Sequence, residues 1–86
     1  MACVYILQDT KGRFYIGSTT HLKRRLRQHL TGMTYTTKRM EKLRLVLSQE
    51  CASLKDARTI EKKLKRLKRK DYIEKMIKDG YIKMIP

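Results

Sequence analysis

Acidic residues are scarce in this chain: 8 Asp plus Glu stand against 22 Lys plus Arg, a formal net charge of +14 over 86 residues. That imbalance predicts attraction to a polyanion, nucleic acid before an anionic membrane. Cysteines are few as well. Cys3 and Cys51 cannot make a zinc site, which needs four ligands in paired spacing. A disulfide between them stays open, although two partly buried free thiols suit a cytosolic chain better. No apolar run approaches the ~20 residues that span a bilayer, and no signal-peptide pattern is visible. An aromatic-rich amphipathic face of the kind that lies on membranes is missing too. The expected compartment is the cytoplasm, with no membrane partner and no obligate protein partner evident. Repeats, linkers and composition breaks are absent, so residues 1–86 are expected to form a single domain. A domain this small buries only about 60–65% of the surface its unfolded chain exposes. Function therefore belongs on a face or in a shallow groove.

What is present is organised around residues Tyr5 to His29. Cys3-Val4-Tyr5-Ile6-Leu7 and Arg13-Phe14-Tyr15-Ile16-Gly17 read as two strands joined by a polar run ending in Gly12, which is hairpin chemistry. Side chains alternate faces along a strand. A three-residue loop centred on Thr10 would gather Val4, Ile6, Phe14 and Ile16 on one face. It would set Tyr5 opposite Tyr15 on the other, with Gly17 beside them where a phosphate could come close. Two ordinary strand tyrosines read the same way.

A helix is expected from about His21 to Leu30, capped from Ser18-Thr19-Thr20 and stopped at Gly32. Its apolar stripe is Leu22, Leu26 and Leu30, with Arg25 and His29 four residues apart on the neighbouring face. Arg25 can lean over the tyrosine face; a solvated cation and a surface histidine are the plainer readings. The segment Thr31 to Arg39 reads as a polar loop. Leu43 to Leu47 alternates as a third strand. A second helix starts at Ser53 with the stripe Leu54, Ala57, Ile60, Leu64 and Leu67, and a third runs from Asp71 to Gly80 with Tyr72, Ile73, Met76 and Ile77 facing inward. Tyr81 to Ile85 reads as a terminal strand or strap. The fold class is α+β: a small three-stranded antiparallel sheet flanked by helices.

Glu61 falls on the inward edge of the second helix, among outward cations. A carboxylate there either pairs with a cation or holds a metal. Lys23, Arg24 and Arg27 on the first helix, Lys38 and Arg39 in the loop, and Lys62, Lys65 and Arg66 on the second helix are candidate nucleic-acid contacts.

The ordered set Val4-Tyr5, Tyr15-Ile16-Gly17, Leu22…Arg25…His29 and Ala57…Glu61 resembles the GIY-YIG nuclease family, in particular its small single-domain members. The resemblance runs from Cys3 to about Leu67. It implies a DNA endonuclease that hydrolyses phosphodiester bonds with a divalent cation, Mg²⁺ or Mn²⁺. Tyr5 and Tyr15 match the motif tyrosines, Gly17 the motif glycine, Arg25 the active-site arginine, His29 a position filled by His or Tyr, and Glu61 the acidic metal ligand.

Such a reaction needs neutralisation of the extra phosphate charge, which suits the fixed fork of Arg25. It also needs a proton acceptor. Tyr5 could serve if nearby cations depress its pKa from the free value near ~10, or His29 could take the proton itself. Two departures stand out. Cys3-Val4-Tyr5 lacks the glycine and isoleucine of the first motif, and the chain contains no Asn, which some members place near the site. The competing class is a non-catalytic basic nucleic-acid-binding protein with the same fold, since charge confers affinity without chemistry. Substrate form (duplex, branched or single-stranded) is open on sequence alone.

Overall fold

The computed structural model describes residues 2–30, 42–67 and 69–82. Strands β1 (Ala2–Gln8) and β2 (Phe14–Thr19) form the hairpin. Helix α1 (Leu22–Leu30) follows, then β3 (Arg44–Cys51), α2 (Leu54–Leu67) and α3 (Lys70–Asp79). The sheet is antiparallel with order β2-β1-β3, so β1 is central and β2 is an edge. Every residue from Ala2 to Leu7 is buried, as the apolar run Val4 to Leu7 in a central strand requires.

The hairpin register differs from expectation by two residues. Tyr5 pairs with Gly17, Ile6 with Ile16 and Leu7 with Tyr15. The loop is residues 9–13, five rather than three, so parity is kept and the apolar face is as expected. Tyr5 and Tyr15 are consequently diagonal neighbours, not directly opposed. The reason is Asp9, whose Oδ1 accepts the backbone N–H groups of Lys11 and Arg13 at 3.0 and 2.8 Å, while Arg13 Nε donates to Oδ2 at 2.7 Å. One carboxylate thus closes a wider turn, and Gly12 takes the left-handed φ of 82° that the turn needs. Burial alone would raise the Asp9 carboxyl, but the backbone and side-chain bonds from Arg13 hold it below the usual carboxylate range. Its contribution to stability is therefore full above the unfolded value near ~3.9 and is lost as pH falls through the lower folded value. Asp9→Asn should lower the melting temperature at pH 7 and lower it less at pH 2, read by thermal unfolding at both.

Val4, Ile6, Ile16 and Leu47 supply the sheet side of the core, and Ala57, Ile60 and Leu64 of α2 cover them. Asp56 N–H is held by Ser53 Oγ at 3.2 Å, the expected cap. From α3 come Ile73 and Met76, and Gly80 ends the helix at φ 83°. Gln49 then pins the returning chain: Ile82 N–H donates to its Oε1 at 2.7 Å, and Ile82 is buried. Cys3 and Cys51 are free and buried. They pair with Glu50 and Ala2 respectively, which puts them on opposite faces of the sheet.

Three burial expectations fail. The third strand extends to Cys51, and a bulge between Ile6 and Leu7 leaves Val46 as an extra residue, so Leu45 turns to the opposite face from Leu47 and is 40% exposed. Tyr72 is 45% exposed, with the Arg69 guanidinium 4.6 Å from its ring centroid. On α1 the buried residue is His29 and not Leu30, which is 64% exposed. Residues 31–41, with the expected polar loop, and 83–86 at the tail lie outside the described residues. Among the described residues no helix is long and apolar enough to cross a membrane.

Candidate active site

The face of the β1–β2 hairpin opposite the core carries Tyr5, Tyr15 and Gly17, and α1 lays His29 and Arg25 against it. Tyr5, central in β1, projects its ring across the edge strand over Gly17. A Cβ on Gly17 would lie 2.5 Å from the Tyr5 oxygen and 2.6 Å from the ring carbon bearing it. The space above Gly17 is thus filled by the phenol, and its lack of a side chain serves the ring, not a phosphate as the sequence suggested. Gly17→Ala should displace the ring and cost about 1–3 kcal/mol as an overpacked core does, measured by urea denaturation.

Tyr5, Tyr15 and His29 form a triangle of rings with centroids 4.7, 5.7 and 6.4 Å apart. The Tyr5 oxygen lies 2.8 Å from His29 Nε2. The half-buried Arg25 sets its charge beside the hydroxyls of both Tyr5 and Tyr15, which holds its own pKa above the usual value, and its Nη1 donates to Gln28 Oε1 at 3.1 Å. A guanidinium only donates, so Arg25 turns positive charge toward the lone pairs of both phenol oxygens. Which of the Tyr5 oxygen and His29 Nε2 donates in the bond between them follows from the imidazole tautomer.

The electrostatics overturn one expectation. Desolvation pushes the Tyr5 hydroxyl up to about 12, outweighing the lowering by Arg25, and the negative charge of Glu61 adds to the rise. Tyr5 is a protonated phenol at neutral pH, not a depressed one. His29 moves the other way: burial first, then the Arg25 charge, hold its imidazolium below the usual range. The shift favours the uncharged ring at neutral pH.

Glu61 arrives from the core side of the sheet. Ser18 Oγ donates to its Oε1 at 2.5 Å, and Lys65 Nζ pairs with Oε2 at 2.6 Å. Ser18 and Gly17 are consecutive on the edge strand, so the carboxylate and the Tyr5 ring flank the same short stretch of β2 from its two faces. Tyr5, Tyr15, Arg25 and His29 converge directly; Glu61 meets them only across the strand edge. Ser18 was legible only as one of three capping candidates. In the structure it engages Glu61, while Thr19 Oγ1 accepts the N–H of His21 at 3.0 Å.

The donor chemistry decides which metal would suit. Glu61 is a hard oxygen ligand, its side chain 19% exposed, and it already accommodates a positive charge at Oε2. No group of three His, Cys, Asp or Glu gathers among the described residues. One carboxylate fits an ion that keeps water and substrate oxygens around it, as Mg²⁺ does, and does not fit a protein cage.

Of the expected nucleic-acid contacts, Lys23, Arg24 and Arg27 are exposed on α1, and Lys62, Lys65 and Arg66 on α2. Lys38 and Arg39 lie outside the described residues.

Comparison with known proteins places the family and the fold. The chain is 40% identical over 70 residues to a UPF0213 protein of Streptococcus pneumoniae serotype 4, covering 79% of this chain and 70% of that protein. A UPF0213 protein of S. pneumoniae strain R6 is 39% identical over the same coverage. The solution NMR structure of a UPF0213 protein from Bacillus halodurans shares the fold at a TM-score of 0.58 and 30% identity, over 93% of this chain and 87% of that one. With residues 1–76 matching the GIY-YIG catalytic domain, the chain belongs to the GIY-YIG family and carries its nuclease fold.

Proposed function

We propose that the protein is an endonuclease that hydrolyses phosphodiester bonds in DNA with a bound divalent cation, Mg²⁺ or Mn²⁺. The observation that carries this reading is the Arg25–Tyr5–His29 cluster: a donor-only cation beside a buried protonated phenol whose oxygen lies 2.8 Å from the imidazole Nε2. Plain phosphate binding has no use for a buried phenol hydrogen-bonded to a histidine of lowered pKa.

Arg25 takes the non-bridging oxygens, where its fork meets the charge that grows on a pentacovalent phosphorus. Drawing the guanidinium onto the phosphate frees a lone pair on the Tyr5 oxygen. The attacking water gives its proton to that oxygen as Tyr5 passes its own to His29 Nε2. The phenol is neutral before and after, and the imidazole becomes imidazolium. This relay replaces a standing phenolate, which a pKa of about 12 makes rare at neutral pH. The half-exposed Tyr15 hydroxyl shares Arg25 and orients the phosphate or the water. Glu61 is the residue that would hold the cation, with Ser18 fixing its Oε1. A divalent ion there supplies Lewis-acid stabilisation of the departing oxygen. The exposed cations on α1 and α2 would position the duplex without reading its sequence.

Incubation with supercoiled plasmid and with labelled single strands, in Mg²⁺ or Mn²⁺ against chelator, tests the proposal. Nicking that requires metal supports it. Tight binding with no cutting under any metal leaves the non-catalytic binder.

A further inference from the structure

A second basic feature lies at the far end of the hairpin and has no part in the chemistry above. A cleft of about 320 Å³ opens there, lined by Gln8, Asp9, Thr10, Gly12, Lys42 and Arg44. Lys70, the first residue of α3, reaches the same loop: its Nζ lies 3.0 Å from where a Cβ on Gly12 would be. Any other residue at position 12 would crowd that ammonium and would also be strained at φ 82°.

Two cations, Lys42 and Arg44, therefore line one small concavity, and a third, Lys70, stands at its Gly12 rim with its ammonium 5.8 Å from the Phe14 ring centroid. The single acid in its lining, Asp9, has both oxygens engaged by Arg13 and the backbone N–H of Lys11. No described carboxylate pairs with Lys42, Arg44 or Lys70. Lys42 itself adopts a φ of 50°, a left-handed conformation that non-glycine residues rarely take and that is held only where the surroundings impose it. Uncompensated like charges held together around a space with an amide (Gln8) and a hydroxyl (Thr10) call for an anion with several acceptor oxygens.

We infer that this cleft binds a backbone phosphate of the polynucleotide held at the tyrosine site. The inference rests on the nucleic-acid reading above. Gln8 stands three strand positions from the Tyr5–Gly17 pair, about 10 Å at ~3.3 Å per residue. The odd spacing turns it to the other face, so the polynucleotide reaches the cleft by passing round the hairpin end. One strand of a duplex advances ~3.4 Å of axis per phosphate. The second contact falls at least about three phosphates from the bond cut. It sets the register of the strand and distinguishes a continuous polynucleotide from a short fragment that cannot reach both sites.

The experiment measures binding of a labelled oligonucleotide by anisotropy in chelator, so the result does not depend on whether the protein cuts. Arg44→Ala with Lys70→Ala should weaken binding roughly tenfold at 0.1 M salt and reduce the salt slope by about 1. A control pair of exposed cations elsewhere, Lys55→Ala with Lys78→Ala, should change it less than about threefold. A single neutral methylphosphonate walked along the oligonucleotide should interfere at a second position, about three or more linkages from the site, with wild-type protein and the control pair, and lose that effect in the cleft pair. Equal losses in both pairs, or no interference away from the cut linkage, would overturn the assignment. So would inorganic pyrophosphate shifting the amide resonances of Gly12 and Arg44 where the oligonucleotide does not, because the cleft would then serve a small free anion. Metal-dependent nicking that persists unchanged in the cleft pair keeps the nuclease proposal standing even if the cleft fails.

Discussion

Glu61→Gln is expected to abolish metal-dependent nicking of plasmid while leaving retention of the same DNA intact. The amide matches the carboxylate in shape and keeps an oxygen for the Ser18 hydroxyl, so the edge strand and α2 stay joined. What disappears is one negative charge on a chain of net charge +14, which cannot weaken attraction to a polyanion. The released partner, Lys65, is more than half exposed, and pairs of that kind contribute only about 0.2–1 kcal/mol to folding. Loss of a charge-stabilising ion site costs several kcal/mol of transition-state stabilisation, at least a thousandfold in rate at ~1.4 kcal/mol per tenfold. Single-turnover nicking in Mg²⁺ beside filter binding in chelator reads both quantities. Cleavage at the wild-type rate would show that Glu61 holds no essential ion.

Tyr5→Phe has the next largest effect, a fall of about 10²–10⁴ in the cleavage rate, the range for a positioned proton-transfer group. The ring still covers Gly17, so the sheet is kept. His29 Nε2 loses the hydrogen-bond partner now 2.8 Å away, which costs about 1–3 kcal/mol of stability for a buried polar group. The pH profile separates a relay from a phenolate. Because burial and Arg25 lower the His29 pKa, the neutral acceptor is present above the ordinary value near ~6.5, and the rate falls below it only as pH drops through the lower folded value. Above that limb the rate stays level, since Tyr5 keeps its proton up to about 12. A tenfold climb per pH unit through the alkaline range would instead identify phenolate as the base. The same sign governs folding: the unfolded chain binds the His29 proton first, so this residue's contribution is complete above ~6.5 and declines as pH falls.

The sequence by itself determined a good deal. Strand alternation in Val4, Ile6, Phe14 and Ile16, and the helical spacing of Ala57, Ile60 and Leu64, specify which faces meet, because burial of apolar area is nearly independent of detailed geometry. The motif order was equally legible, since each motif is local to one element. What sequence could not give was the distance between elements. Asp9 widened the hairpin turn and moved Gly17 under Tyr5, the bulge at Val46 turned Leu45 outward, and α1 buried His29 where Leu30 was expected.

Tertiary structure also decided the chemistry of the site. A pKa is set by the solvent a group has lost and the charges it has gained. Only assembly of β1, β2 and α1 around Tyr5 fixes both, and it does so in favour of burial: the phenol stays protonated and the imidazole neutral. The pairing of Ser18 with Glu61 joins residues 43 positions apart, a contact that no local pattern encodes, because it arises from the packing of a helix against the edge of a sheet.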